Sequence, residues 1–197
     1  MELEKFNVKV VDNFLSLDEC SNILSFVESL PEWETTGGLQ GFWDNRTLGN
    51  EFIYRNHSKE LGLELLDIRG RIGREIEALY NIEKIYSDHL SIIRWFPGIS
   101  LEPHVDDMTD STVDGSEWFH HREFGAVVYL NDDFESGYTY YPNFDVEIKP
   151  KAGTLVLHPG DEIHRHGVRG SRGGNRYTIS SFWTKDVTYS DDWLDSE

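Results

Sequence analysis

The sequence predicts an α+β fold in which two N-terminal amphipathic helices back a series of short antiparallel strands that roll into a small barrel. Two observations carry that prediction. Apolar residues recur at helical spacing in two stretches before residue 81. From Ile82 to Thr184 the pattern shifts to short, β-branched and aromatic runs divided by turn signals. Helices first and strands afterwards, without alternation, point to α+β rather than to a parallel α/β sheet.

Taken in order, residues 6–11 alternate well enough for an edge strand. Ser16-Leu17-Asp18-Glu19 reads as a capping box, with a hydroxyl at the N-cap and a carboxylate three residues on. Behind it Cys20, Ile23, Leu24, Val27 and Leu30 mark one helix face, and Pro31 stops the helix. Residues 33–50 are rich in Gly, Thr and Asn and include Trp43 and Arg46; they read as a loop or irregular strand near a substrate mouth. Leu61, Leu65, Ile68, Ile72, Ile76 and Leu79 define a second helix from about 58 to 80. Gly62, Gly70 and Gly73 weaken its intrinsic helicity, so packing has to hold it and can bring it close to a sheet. Strands are expected at about 84–96, 124–130, 137–141, 146–148, 154–158, 163–168 and 176–184. Between them lie Pro97-Gly98, Asn131-Asp132-Asp133, Lys151-Ala152-Gly153, Pro159-Gly160 and Gly173-Gly174-Asn175.

The chain has 197 residues, enough for one well-buried core. With no linker-like stretch, 1–197 reads as a single domain: helical support over about 16–80, barrel over about 84–184 and an acidic tail at 185–197, to which no function is assigned. A formal charge of −18 lacks the positive footprint that a phosphate backbone needs, so no nucleic-acid partner is expected. The single cysteine, Cys20, forms no intrachain disulfide and belongs to the core. The charged N-terminus has no apolar signal region and no apolar run approaches membrane-spanning length. A soluble protein of a reducing compartment, the cytoplasm, with no membrane partner, is the simplest expectation.

The chemistry concentrates in Leu101-Glu102-Pro103-His104-Val105-Asp106. In an extended strand His104 and Asp106 point to one face, so an imidazole and a carboxylate converge. His-x-Asp alone is weak, but it follows the apolar run from Leu90 to Phe96 and the Pro97-Gly98 turn. A second histidine would complete a two-histidine, one-carboxylate facial triad, which leaves open positions on a non-haem Fe(II) ion. His158, His164 and His166 are the candidates. His164 and His166 share a face in a regular strand, so alternation alone does not separate them.

The segment from His166 to Arg176, His-Gly-Val-Arg-Gly-Ser-Arg-Gly-Gly-Asn-Arg, resembles the His-x-Val…Gly-x-Arg signature of Fe(II)/2-oxoglutarate dioxygenases, in particular the prolyl 4-hydroxylase-like branch. Val11-Asp12-Asn13-Phe14-Leu15 resembles that family's N-terminal opening. Tyr129-Leu130-Asn131-Asp132, Ser136 to Pro142, and Pro150-Lys151-Ala152-Gly153 resemble its central strands and turn, in the family's order. The resemblance implies a double-stranded β-helix, or jelly-roll, barrel. It implies His104, Asp106 and His166 as the metal ligands, because the distal ligand precedes the basic residue by ten positions and His164 would be two too far. It further implies Arg176 as the base that holds the far carboxylate of 2-oxoglutarate, with Thr178 adding a hydroxyl bond. Trp95 stands where many relatives carry a tyrosine that contacts the co-substrate, and its indole N–H is expected in that place. Ser136 replaces a glycine and Tyr138 a glutamate, so substrate choice is expected to differ.

The implied cofactors are Fe(II), 2-oxoglutarate and O2, with ascorbate as an accessory. The implied reaction hydroxylates an aliphatic C–H, foremost of a peptidyl proline or another amino-acid side chain, with release of succinate and CO2; the partner is then a peptide or amino acid. Two alternatives stand beside it: a catalytically silent barrel that binds a ligand, and a hydroxylase of a free small molecule. A nucleic-acid demethylase of the same superfamily is disfavoured by charge. Trp118, His120, His121 and Arg122 are candidates for a substrate channel, and 106–117 for a loop beside the metal.

Overall fold

A computed structural model of the chain describes residues 5–37, 41–107 and 119–196. It contains three helices, α1 (Leu17–Ser29), α2 (Asn50–Asn56) and α3 (Lys59–Tyr80). The capping box of α1 is complete: Glu19 N–H donates to Ser16 Oγ at 3.2 Å, and Ser16 N–H donates to Glu19 Oε2 at 2.7 Å. Leu30, extended ahead of Pro31, ends it. In α3, capped by Ser58, the ridge Leu61, Leu65, Ile68, Ile72 and Ile76 is buried, whereas Leu79, expected on that ridge, is 40% exposed. Two glycines of α3 mark close approaches. A Cβ on Gly62 would meet Tyr54 Cβ of α2 at 2.6 Å, and one on Gly73 would meet the Trp183 ring at 3.0 Å. Helix α2 begins at Asn50, the last residue of the stretch expected as loop or irregular strand, and its two turns are too short to display a period.

The strands are β1 (Lys9–Val11), β2 (Thr47–Gly49), β3 (Tyr86–Trp95), β4 (Leu101–His104), β5 (Phe124–Tyr129), β6 (Glu135–Ser136), β7 (Thr139–Tyr141), β8 (Val146–Ile148), β9 (Leu155–Pro159), β10 (His166–Val168), β11 (Ser171–Arg172) and β12 (Arg176–Thr184). A six-stranded sheet runs in the order β1-β9-β5-β12-β3-β2, a four-stranded sheet β4-β10-β7-β8, and β11 pairs with β6. Every pairing is antiparallel. The architecture is therefore α+β with opposed antiparallel sheets, as the sequence predicts, but hydrogen bonding does not close the barrel. The expected first strand is shortened because Asn7 takes a left-handed conformation (φ 62°), so pairing begins at Lys9.

One face of the large sheet presents Leu90, Ile92, Ala126, Val128, Leu155, Leu157, Ile179 and Trp183 to the buried ridges of α1 and α3. Cys20 is part of that core. On its other face Tyr129 and Val156 pack with Tyr141 and Ile148 of the small sheet, and Ile93 and Trp95 with Val168. The helices thus hold the large sheet flat from behind and leave the space between the sheets for side chains of other kinds. The acidic tail is tied down: Asp191 N–H donates to Ser87 O at 2.8 Å, and the Trp193 ring lies 5.0 Å from that of Tyr54. Among the described residues no helix is long and apolar enough to cross a membrane.

Three histidines make folding sensitive to acid. Burial lowers the pKa of His89, His158 and His166 below the usual value. As pH falls from about 6.5, the unfolded chain therefore takes up more protons than the folded one. Stability is full above that pH and declines below it, by at most about 1.4 kcal/mol per pH unit for each histidine. The urea midpoint of metal-free protein is expected to be lower at about pH 5.5 than at about pH 7.5; an unchanged or higher midpoint would contradict this.

Candidate metal centre

β4 ends at His104, and β10 lies antiparallel to it with His166 directly opposite. This register, rather than a shared strand, brings the two imidazoles together, their ring centroids 4.5 Å apart. Asp106 departs from expectation in its backbone. The strand has ended before it, and it lies in the bend that follows Val105, where Asp107 N–H donates to Gly160 O at 3.0 Å. Its carboxylate nevertheless reaches the same point. Asp106 Oδ1 is 3.9 Å from His104 Nε2 and 3.8 Å from His166 Nε2.

These separations exceed a hydrogen bond, and the candidate ligand atoms all lie within 4.8 Å of one another. Both rings are oriented from behind. His104 Nδ1 is 3.0 Å from Glu102 O and His166 Nδ1 is 3.1 Å from His164 O, so each Nδ1 carries the proton and each Nε2 lone pair turns inward. Burial, reinforced by His158 and His104, holds the His166 pKa well below the ordinary value, which keeps the ring neutral and able to ligate. Asp106 is 5% exposed and its Oδ2 has no hydrogen-bond partner. Two imidazoles with inward-turned Nε2 atoms and a buried carboxylate are the donor set of a divalent metal.

The choice between His164 and His166, open in the residue pattern, is made by local geometry. His164 is not in the strand but in a 3₁₀ turn, Glu162–His164. Both of its ring nitrogens are engaged, Nδ1 with Asp161 Oδ1 at 2.6 Å and Nε2 with Phe6 O at 2.8 Å. Its carbonyl orients His166, so it supports the site without joining it. His158, fully buried, packs beside the site with Nδ1 3.8 Å from Asp106 Oδ2. The strand next to it has room for no side chain: a Cβ on Gly125 would overlap Asp106 Oδ2 and meet His158 Cε1 at 2.7 Å. Gly125→Ala is accordingly expected to cost Fe(II) affinity by about tenfold or more, read by calorimetry on protein whose circular dichroism is unchanged. Wild-type affinity in a folded variant would show that the carboxylate is not held there.

Arg176 opens β12 opposite Trp95 of β3, and Thr178 follows on the same face, opposite Ile93. The guanidinium is buried, 2% exposed, and its Nη2 donates to Thr139 Oγ1 at 3.3 Å, which in turn shares a 2.7 Å bond with Tyr129 OH. Its Nε, the Thr178 hydroxyl and the Trp95 indole N–H have no partner. Burial lowers the Arg176 pKa from its usual value, while Tyr129 opposes that. Tyr129 flanks Arg176 at 5.1 Å and packs in one cluster with Tyr141, whose ring is 5.7 Å from that of His166. The histidine–aspartate group and the arginine therefore open on one interior. Tyr129 and Thr139 were not legible as site residues, because each reads as an ordinary strand residue.

Residues 90–184 match the family model described as the 2OG-Fe(II) oxygenase superfamily. This segment is a 2OG-Fe(II) oxygenase domain. It includes all six residues named from the sequence: Trp95, His104, Asp106, His166, Arg176 and Thr178. The chain is 32% identical over 122 residues to a protein of Acanthamoeba polyphaga mimivirus provisionally named a prolyl 4-hydroxylase, across 56% of this chain and 50% of that protein. It is 32% identical over 73 residues to prolyl 3-hydroxylase 2 of Homo sapiens, across 34% of this chain and 10% of that one. It thus spans half the length of the first relative and a tenth of the second.

Among solved structures, the oxygenase domain and its helices superpose on the viral collagen prolyl hydroxylase of Paramecium Bursaria Chlorella virus-1 in its 2OG complex. The TM-score is 0.64 at 18% identity, covering 90% of this chain and 94% of that one. A prolyl-4-hydroxylase of Pseudomonas putida gives 0.59 at 18% identity, covering 94% and 96%. At these identities the likeness shows the shared jelly-roll fold.

Of the residues expected to line a channel at 118–122, His121 and Arg122 are engaged with an acidic side chain among the described residues. His121 Nε2 and Arg122 Nε both engage Asp88 Oδ2, at 2.6 and 2.7 Å, and His121 stacks on Tyr189 at 3.9 Å. Trp118 and the expected loop residues 108–117 lie outside the described residues. Tyr140 faces outward beneath the Arg169 guanidinium, 3.7 Å from its ring, rather than filling the barrel.

Proposed function

We propose that the chain is a hydroxylase dependent on Fe(II) and 2-oxoglutarate, acting on an aliphatic C–H of a peptidyl proline or another amino-acid side chain, with 1–197 serving as one domain. The observation that carries this reading is the convergence of His104 Nε2, His166 Nε2 and Asp106 Oδ1 on one point, on the same interior as a buried arginine that has no carboxylate partner among the described residues. The names of the prolyl hydroxylase relatives support the choice of substrate class.

His104, Asp106 and His166 would hold the metal, and Arg176 with Thr178 the distal carboxylate of 2-oxoglutarate. When bound, iron and co-substrate with O2 supply an oxidative decarboxylation to succinate and CO2 coupled to insertion of one oxygen atom into a substrate C–H. The chain's own part is geometric and electrostatic. Glu102 O and His164 O hold the two rings by Nδ1 and leave each Nε2 turned to the metal position. The guanidinium fork of Arg176, held by Thr139 and Tyr129, offers parallel donors to a carboxylate. The Trp95 indole N–H and the Thr178 hydroxyl are placed to donate beside it. The apolar walls Ile93, Val168 and Tyr141 keep water from the interior.

The test is anaerobic binding of Fe(II) and 2-oxoglutarate, then oxygen-dependent succinate release against prolyl peptides and free amino acids. Iron-dependent 2-oxoglutarate binding with substrate-stimulated succinate supports the reading. No binding would favour a silent ligand-binding module, and turnover with a free small molecule alone would remove the peptidyl substrate.

A further inference from the structure

We propose that Arg46 is the receptor for a carboxylate on the primary substrate, so that the substrate is an amino acid or peptide presenting a free carboxylate; this rests on the hydroxylase reading above. Arg46 is 4% exposed, and among the described residues its Nε, Nη1 and Nη2 all lack a hydrogen-bond partner. Three rings enclose it. Its guanidinium carbon is 3.9 Å from the centre of the Phe42 ring, 5.0 Å from Trp43 and 5.2 Å from Trp95, and those rings stand edge to face with one another. Ring faces recover part of the cost of dehydrating a cation, but none of them satisfies the five in-plane N–H donors. A buried, unpaired guanidinium is an expensive way to fasten a loop, and an anion repays it.

The position ties Arg46 to the site. Trp95 also carries the Arg176 guanidinium, 5.3 Å from its ring, so two buried cations without carboxylate partners share one indole. Thr47, the next residue, is in register with Ile93, which is in register with Thr178, so both threonines face the same interior. The Thr47 and Thr178 hydroxyls are both buried without a partner. The distal carboxylate of 2-oxoglutarate needs one arginine, at 176; a second cation of the same kind calls for a second carboxylate. The backbone at 45–47 is anchored, with Asn45 N–H donating to Glu34 O at 2.8 Å and Arg94 N–H to Arg46 O at 2.7 Å. Phe42 and Trp43, ahead of that anchor, are only part-buried and form the cover that a substrate would lift.

The test uses Zn(II)-loaded protein, which binds without turnover, and two probe pairs: N-acetyl-L-proline with its amide, and glycyl-L-proline with its amide. Affinity for 2-oxoglutarate is measured first on the same sample and reports separately on the oxygenase reading. The Arg46 Nε–H resonance is then followed while each probe is added. The acids are expected to shift it and to bind about tenfold or more tighter than their amides. In Arg46→Met, which fills the aromatic cage without charge, that acid-over-amide preference is expected to vanish while 2-oxoglutarate affinity moves by less than about twofold; Arg46→Lys should keep part of it. If no acid shifts the resonance, if acids and amides bind alike, or if 2-oxoglutarate alone shifts it, the proposal is wrong and Arg46 is a structural plug or part of the co-substrate site.

Discussion

Asp106→Ala is expected to lose Fe(II) binding by at least about 100-fold and succinate formation with it, while the metal-free protein becomes no less stable. The sign of the second effect follows from the site. The carboxylate is 5% exposed with Oδ2 unpartnered, so without metal it is a buried acceptor that none of the described residues satisfies. Removing such a group relieves up to about 1–3 kcal/mol in the apo state. Urea unfolding of both metal-free proteins, beside calorimetric Fe(II) titration, checks the pair of outcomes. A large loss of apo stability would mean that Asp106 serves the fold, and retained iron affinity would mean that it is not a ligand.

Arg176→Met has the second largest expected effect. Truncating one partner of a buried charge pair costs about 2–5 kcal/mol, so the 2-oxoglutarate concentration for half-maximal rate should rise by roughly 30-fold or more. Fe(II) affinity should be unchanged, because Arg176 bonds Thr139 and lies beside Tyr129, away from the three ligands. Steady-state kinetics against 2-oxoglutarate, with iron affinity as the control, separates these. An unaltered half-maximal concentration would remove Arg176 from the co-substrate site. A parallel loss of affinity for both co-substrate and iron would indicate collapse of the interior rather than loss of an anchor.

Both predictions express one property of the molecule. Its large sheet is satisfied on the helix side, where Leu, Ile and Val interlock, while on the inner side Arg176 Nε, the Thr178 hydroxyl and the Trp95 indole N–H lack partners among the described residues, as does Asp106 Oδ2 in the bend after β4. Natural chains accept such local cost where a ligand repays it.

What the sequence made legible follows from how local each signal is. The capping box at Ser16 and the strand Arg176–Thr184 have the bounds the residues suggest, since capping chemistry and β-branched alternation are decided within a few positions. The pairing of His104 with His166 became legible once the ten-residue step to Arg176 was recognised, because that step fixes which histidine is in register. Features decided by distant contacts were not legible. His164 left the strand because Asp161 caps a 3₁₀ turn and the Phe6 carbonyl claims its ring. Asp106 reached the site from a bend because Gly160 holds the next amide. Tyr129 and Thr139 read as ordinary strand residues, since nothing near them in sequence shows that they meet each other and Arg176 in space. The barrel remained two opposed sheets because strands of two to four residues give edges too short to join.

The most direct measurement is anomalous diffraction at the iron edge from crystals grown without oxygen in Fe(II) and 2-oxoglutarate. A single strong peak is expected at bonding distance from His104 Nε2, His166 Nε2 and an Asp106 carboxylate oxygen, with co-substrate density running from it to the Arg176 guanidinium. A peak elsewhere, or no peak with those three side chains in place, would contradict that expectation.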